Sequence, residues 1–132
     1  MNSSRHLAIT SLGACLLATT TLAPAPAQAQ EMIPAVQAVR HIGKTAMVCG
    51  KVERTRHAQN TEGEPTFLYM GGNFPRHTFS ARIPGSIRDS FRPSPEELQG
   101  KDVCVVGSIE RDASRAEIAV RAPSDIKLAD IR

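Results

Sequence analysis

HIGKTAMVCGKV, from His41 to Val52, followed by TFLYM, from Thr66 to Met70, decides how this chain folds. From Thr45 the first stretch alternates, with Val48, Gly50 and Val52 on one side and Met47, Cys49, Lys51 and Glu53 on the other, and the pattern continues to Arg56. Successive side chains of a strand point to opposite faces, so this spacing predicts a half-buried strand over Thr45 to Arg56, with Gly50 marking a bend or bulge. Residues 57–65 are polar and hold Asn60, Gly63 and Pro65, a loop composition. Thr66 to Met70 is then a second strand. Gly71, Gly72, Asn73 and Pro75 make a turn, and Thr78 to Ile83 is a third strand with Phe79, Ala81 and Ile83 in phase.

Upstream, Ile33, Val36, Val39 and Ile42 recur every three residues across Pro34, which predicts a short amphipathic helix over residues 34–41 ended by Gly43. Downstream, Ser94-Pro95-Glu96-Glu97 is a capping box with proline at the first helical position, closed by Gly100. A fourth strand follows over Asp102 to Glu110, with Val103, Val105, Gly107 and Ile109 in phase. After a turn at Asp112 to Ser114 comes a fifth, over Glu117 to Arg121. Three strands, a helix and two more strands are the order of an all-β fold, the five-stranded Greek-key barrel of the oligonucleotide/oligosaccharide-binding (OB) type, here with a short N-terminal helix.

The first 29 residues are read as a separate segment. Arg5 and His6 give a charged start, Leu7 to Leu22 is mainly apolar, and Ala27-Gln28-Ala29 is a small-residue cleavage site, which together read as a secretory signal peptide. Leu12-Gly13-Ala14-Cys15 offers an alternative, a lipoprotein signal with Cys15 lipidated, but the apolar run before Cys15 is short and continues past it. The OB domain is placed at residues 30–132, with a periplasmic or secreted address and no membrane span. Without Arg5 the charge is close to balanced, 15 Lys/Arg against 13 Asp/Glu, but residues 40–92 hold nine basic and four acidic side chains. That bias permits an anionic partner.

HIGKTAMVCGKVERTR from His41 to Arg56, then Phe67-Leu68-Tyr69-Met70, resembles the start of the anticodon-binding OB domain of aspartyl-type tRNA synthetases, in which H-x-G, C-G-x-V, a run of arginines and F-x-x-M occur in that order. Across residues 33–128 the chain is more similar to small exported bacterial OB domains described as nucleic-acid-binding-like. The resemblance implies a stacking role for Phe67 and places Arg54 and Arg56 beside nucleic acid. Tyr69-Met70-Gly71-Gly72 stands where the synthetases carry charged residues, so the resemblance does not extend to anticodon reading.

Reasoning from the residues themselves reaches a related surface. If Leu68 and Met70 face the barrel, Phe67 and Tyr69 point outward, with Ser80 and Arg82 beside them and Arg54, Arg56, His57, Arg76 and His77 at the rim. Aromatic faces joined to a basic groove hold single strands, so the candidate ligand-binding residues are Arg54, Arg56, Phe67, Tyr69, Arg76 and Arg82. The alternative places Phe67 in the core and leaves the arginines as a solvated face. Expected partners are single-stranded DNA or RNA or another polyanion; a protein or small-molecule partner is the competing reading.

In the OB topology strands one and four are antiparallel neighbours. Cys49 and Cys104 each lie out of phase with the flanking valines, so both emerge on one side, where an oxidising compartment favours a disulfide over two free thiols. His41, His57 and His77 are scattered without metal-ligand spacing, so neither a metal nor a cofactor is expected. Glu96 and Glu97 serve capping, no nucleophile motif occurs, and the expectation is a binding module, not an enzyme.

Overall fold

A computed structural model describes residues 11–24 and 30–129. The charged start at Arg5 and the cleavage site at Ala27 to Ala29 lie outside the described residues. Residues 11–24 carry neither helix nor strand, and among the described residues no helix is long and apolar enough to cross a membrane.

Eight strands form one mixed sheet: β1 (Met32–Pro34), β2 (Thr45–Lys51), β3 (Arg54–His57), β4 (Thr66–Met70), β5 (Phe79–Ile83), β6 (Asp102–Asp112), β7 (Arg115–Ala119) and β8 (Ile126–Leu128). Their order is β1-β2-β6-β7-β5-β4-β3, with β8 also paired to β6. The β1·β2 and β5·β7 pairs are parallel and the remainder antiparallel. The fold is all-β, as expected, but with eight strands in place of five. β1 and β8 are three residues each, too short to show a period.

The expected first strand is two strands. Val52 leaves the β2·β6 ladder to donate its N–H to Lys101 O at 2.9 Å, and Glu53 donates to Tyr69 O at 2.8 Å, so the chain changes partner between them. The break therefore lies at Val52 and Glu53 rather than at the expected Gly50. Gly50 serves a close approach instead, since a Cβ there would stand 3.1 Å from the Ala35 Cβ.

That approach explains the N-terminal helix. Ala35–His41 is a 3-10 helix, whose three residues per turn put positions three apart on one face. Ala35 and Ala38 are the buried residues, while Val36 is 60% exposed. The three-residue period was right, and Ile33, Val39 and Ile42 do pack on the core, but Val36 is exposed and the most buried helix positions are Ala35 and Ala38, with Ala35 set close over Gly50. The expected helix between the third and fourth strands is likewise two 3-10 turns, Gly85–Ser90 and Pro95–Leu98. The capping box is present: Glu97 Oε2 accepts the Ser94 backbone N–H at 2.8 Å. Glu96 does something else, pairing with Arg88 at 2.5 Å while Arg88 Nη1 donates to the buried Thr66 hydroxyl at 2.7 Å. Burial pushes the Glu96 carboxyl up, but the hydrogen bond from Arg88, its own backbone amide and the charges of Arg88 and His57 outweigh it, and the pKa falls below its ordinary value.

The core follows the alternation. Leu68 and Met70 from β4, Phe79, Ala81 and Ile83 from β5, Val103, Val105 and Ile109 from β6 and Ile118 from β7 are at most 1% exposed. Cys49 stands directly opposite Cys104 in the β2·β6 register, their Cα atoms 4.1 Å apart, and the two form a disulfide.

Candidate functional site

The outer face of β3, β4, β5 and β7 is set by pairing. One row reads Arg56, Phe67, Arg82 and Ala119; the next reads Arg54, Tyr69, Ser80 and Glu117. Because Leu68, Met70 and Ala81 point into the core, the residues between them share the opposite face. The structure thus brings Arg54, Arg56, Phe67, Tyr69 and Arg82 onto one surface.

Aromatic rings run along its centre. Phe67 and Tyr69 are nearly parallel, 4° between planes and 5.9 Å between centroids. Tyr69 then meets Phe74 at 4.9 Å and His77 at 4.2 Å, and Phe74 stacks on His77 at 5.6 Å. The Arg54 guanidinium lies 5.0 Å above the Phe74 ring, a cation–π contact. Phe67 is half-buried and keeps part of its ring open. Tyr69 differs from expectation: it lies on the outer face but is only 6% exposed, because Phe74 and His77 cover it.

The loop that supplies the cover is anchored. Thr78 Oγ1 donates to Gly71 O at 2.9 Å, the Arg76 N–H donates to Asn73 O at 2.6 Å, and Arg115 Nη2 from β7 donates to Pro75 O. Arg76 is exposed on this loop, outside the two rows. His77, expected at the rim, is 4% exposed. Its Nδ1 makes no hydrogen bond, and burial, then the Arg115 charge, push its pKa below the ordinary 6.5 against the opposing pull of Asp112.

A folded-state pKa below the unfolded one means that the unfolded chain takes up the proton first. Stability from His77 is therefore complete above pH 6.5 and is lost as pH falls through the lower folded value. We expect the melting temperature to drop between pH 7 and about pH 5 and His77→Phe to flatten that part of the profile. Glu96, whose pKa is also lowered, adds a separate loss that begins near its ordinary 4.5 and persists in His77→Phe. An unchanged slope between pH 7 and 5 in His77→Phe would assign the acid sensitivity elsewhere.

Arg82 is not free. Its Nε donates to Glu117 Oε1 at 2.9 Å, and Glu117 Oε2 accepts the Ser80 hydroxyl at 3.3 Å. Arg54 and Arg56 are exposed and make no ion pair with any described residue. Sequence reasoning missed Phe74 and Glu117. Phe74 had a weak signal, an aromatic inside a turn next to proline, whereas placing Glu117 needs the parallel β5·β7 register. Among the described residues no group of three or more His, Cys, Asp or Glu side chains is gathered as a metal site.

The sequence matches no protein-family profile and no curated protein. Among solved structures, the chain is similar to a protein assigned as an aspartyl-tRNA synthetase from Leishmania major Friedlin, at 17% identity and a TM-score of 0.47. The alignment covers 83% of this chain and 22% of that one.

Proposed function

We propose that the chain is an exported OB-type barrel domain that binds single-stranded nucleic acid or another polyanion, without catalysing a reaction, on the outer face of β3, β4 and β5. The barrel reading rests on β2 and β3, which lie near opposite ends of the strand order yet are only Val52 and Glu53 apart in the chain. Taken as one bent strand, they pair with β6 at one end and β4 at the other, as the first strand of a five-stranded barrel does. The disulfide supports export, since such bridges persist in oxidising compartments.

The observation that carries the function is the aromatic row in which the accessible rings of Phe67 and Phe74 lie on either side of the covered Tyr69, flanked by Arg54 and Arg56, which make no ion pair with any described residue. Bases stack on aromatic rings in any sequence, and free guanidinium groups at the edge take the phosphates. Tyr69 is the one tyrosine and the chain has no tryptophan, so its emission reports directly on this face.

Titration of a short oligodeoxynucleotide against Tyr69 emission, at two salt concentrations, is the test. Binding should weaken steeply as salt rises, because each neutralised phosphate releases counterions. Phe67→Ala should weaken it by about tenfold or more with little change in melting temperature, since stacking is worth about 1–3 kcal/mol per base. Arg56→Ala should reduce the salt slope by about one unit. No binding of DNA or RNA at low salt would overturn the proposal, and salt-insensitive capture of a protein would favour the competing docking reading.

A further inference from the structure

We infer that Glu117 withdraws Arg82 from the anionic part of the ligand and confines that part to the β3 edge, so that the face selects strands carrying bases over polyanions that carry none. The inference rests on the proposed binding face and names the ligand class within it.

The charges on this face are polarised along the strand order. Arg54 and Arg56 are on β3, whereas Glu117 is on β7 and stands opposite Glu110 of β6 in the antiparallel register. Adjacent strands are about 4.8 Å apart, so β3 lies three spacings, roughly 14 Å, from β7. The Debye length at physiological salt is about 8 Å. A phosphate at the β3 edge is therefore screened from Glu110, while one lying over β5 is closer to it and meets Arg82 only as half of its pair with Glu117.

Arg82 would attract that phosphate if its charge were available. Its side chain is 40% exposed, but the Nε is committed to a carboxylate that is itself only 12% exposed and holds Ser80 with its other oxygen. Glu117 is thus fixed at both oxygens, and Arg82 is held by the less mobile of the two partners. The face then offers two free guanidinium groups at one side and a neutral aromatic surface in the middle. A nucleic-acid strand can use both, with its backbone along β3 and a base extended over Phe67. A base-free polyanion can use only the arginines. Beyond them it meets only the neutral Arg82–Glu117 pair and then Glu110, which makes no ion pair with any described residue.

The test compares an oligodeoxythymidylate with a linear polyphosphate of equal charge, each titrated over a range of salt concentrations. Wild type should bind the oligonucleotide at least about tenfold more tightly. Glu117→Gln, which keeps the shape and a hydrogen bond to Ser80, should raise polyphosphate affinity and steepen its salt slope by about one unit. Arg82→Ala combined with Glu117→Gln should remove the added unit. A slope in Glu117→Gln no steeper than in wild type would overturn the inference, as would equal affinity of wild type for the two probes.

A ligand-free arm keeps this failure distinct from that of the binding proposal. Phenylglyoxal labelling followed by mass spectrometry should modify Arg82 several-fold more slowly than Arg56 in wild type, and at similar rates in Glu117→Gln. Similar rates in wild type would show that Glu117 does not hold Arg82, whatever binds. Wild type that binds neither probe at low salt, with Arg82 still protected, would overturn the binding proposal and the selectivity with it, leaving only the charge pairing.

Discussion

Replacing Cys49 and Cys104 together with alanine should lower stability by roughly 4 kcal/mol, the chain-entropy value for a bridge spanning 55 residues. At about 4–8 °C per kcal/mol for a domain near 100 residues, the melting temperature should fall by roughly 16–32 °C. The bridge sits where it constrains the most: β2·β6 is a seven-pair ladder, and β6 also pairs with β7 and β8. Alanine is the better replacement, because the two positions are 8% and 6% exposed and a serine hydroxyl would need a buried partner. Wild type melted with reductant should approach the double variant. A difference below about 1 kcal/mol would mean that the ladder holds its register unaided and that the unfolded chain is already restricted.

The same pair of strands shows what could be read from the sequence. Period-two alternation placed Val48, Leu68, Met70, Phe79, Ala81, Ile83, Val103 and Val105 inside, because one face of each strand is dry and a slip of one residue would reverse it. The cysteine pairing was legible for the same reason, given that the two strands are antiparallel neighbours. β1, β8 and the break at Val52 were not, since three residues carry no period and the break depends on which carbonyl, Lys101 or Tyr69, each N–H finds. The 3-10 helix at Ala35 showed its period and, through Ile33, Val39 and Ile42, part of its face, but not the burial of Ala35, which depends on its approach to Gly50.

For the candidate site, alternation gathers Phe67, Tyr69 and Arg82, each out of phase with a core residue on its own strand, whereas Arg54 and Arg56 are in phase with the buried Val52 and reach this face because the chain changes partner at Val52 and Glu53. Alternation is blind to what other segments add. Phe74 and His77 reach Tyr69 from a turn, and Glu117 reaches Arg82 across a parallel pair 35 residues away in the chain. These additions change the chemistry. They bury the tyrosine and remove one of the expected cations.

Gly71→Ala should cost about 2–3 kcal/mol, and Gly71→Val more, because two independent penalties meet there. Gly71 has φ +71°, a left-handed conformation that costs an L side chain roughly 1–2 kcal/mol. An added Cβ would also lie 2.2 Å from Thr78 Oγ1 and 3.2 Å from the Ala35 carbonyl carbon, so the threonine must give up its hydrogen bond to Gly71 O, worth about 1 kcal/mol. The steric part can be separated from the backbone part. Thr78→Ala opens the space without altering φ, so Gly71→Ala combined with Thr78→Ala should lose less than the sum of the single changes, a coupling measurable by a double-mutant cycle. The loop that begins at Gly71 carries Phe74 and His77 over Tyr69, so the substitution should also expose that tyrosine. Iodide should then quench Tyr69 emission more strongly than in wild type while the disulfide remains intact. Full stability in Gly71→Ala, or unchanged quenching in a destabilised variant, would show that the cover over Tyr69 does not depend on the turn at Gly71.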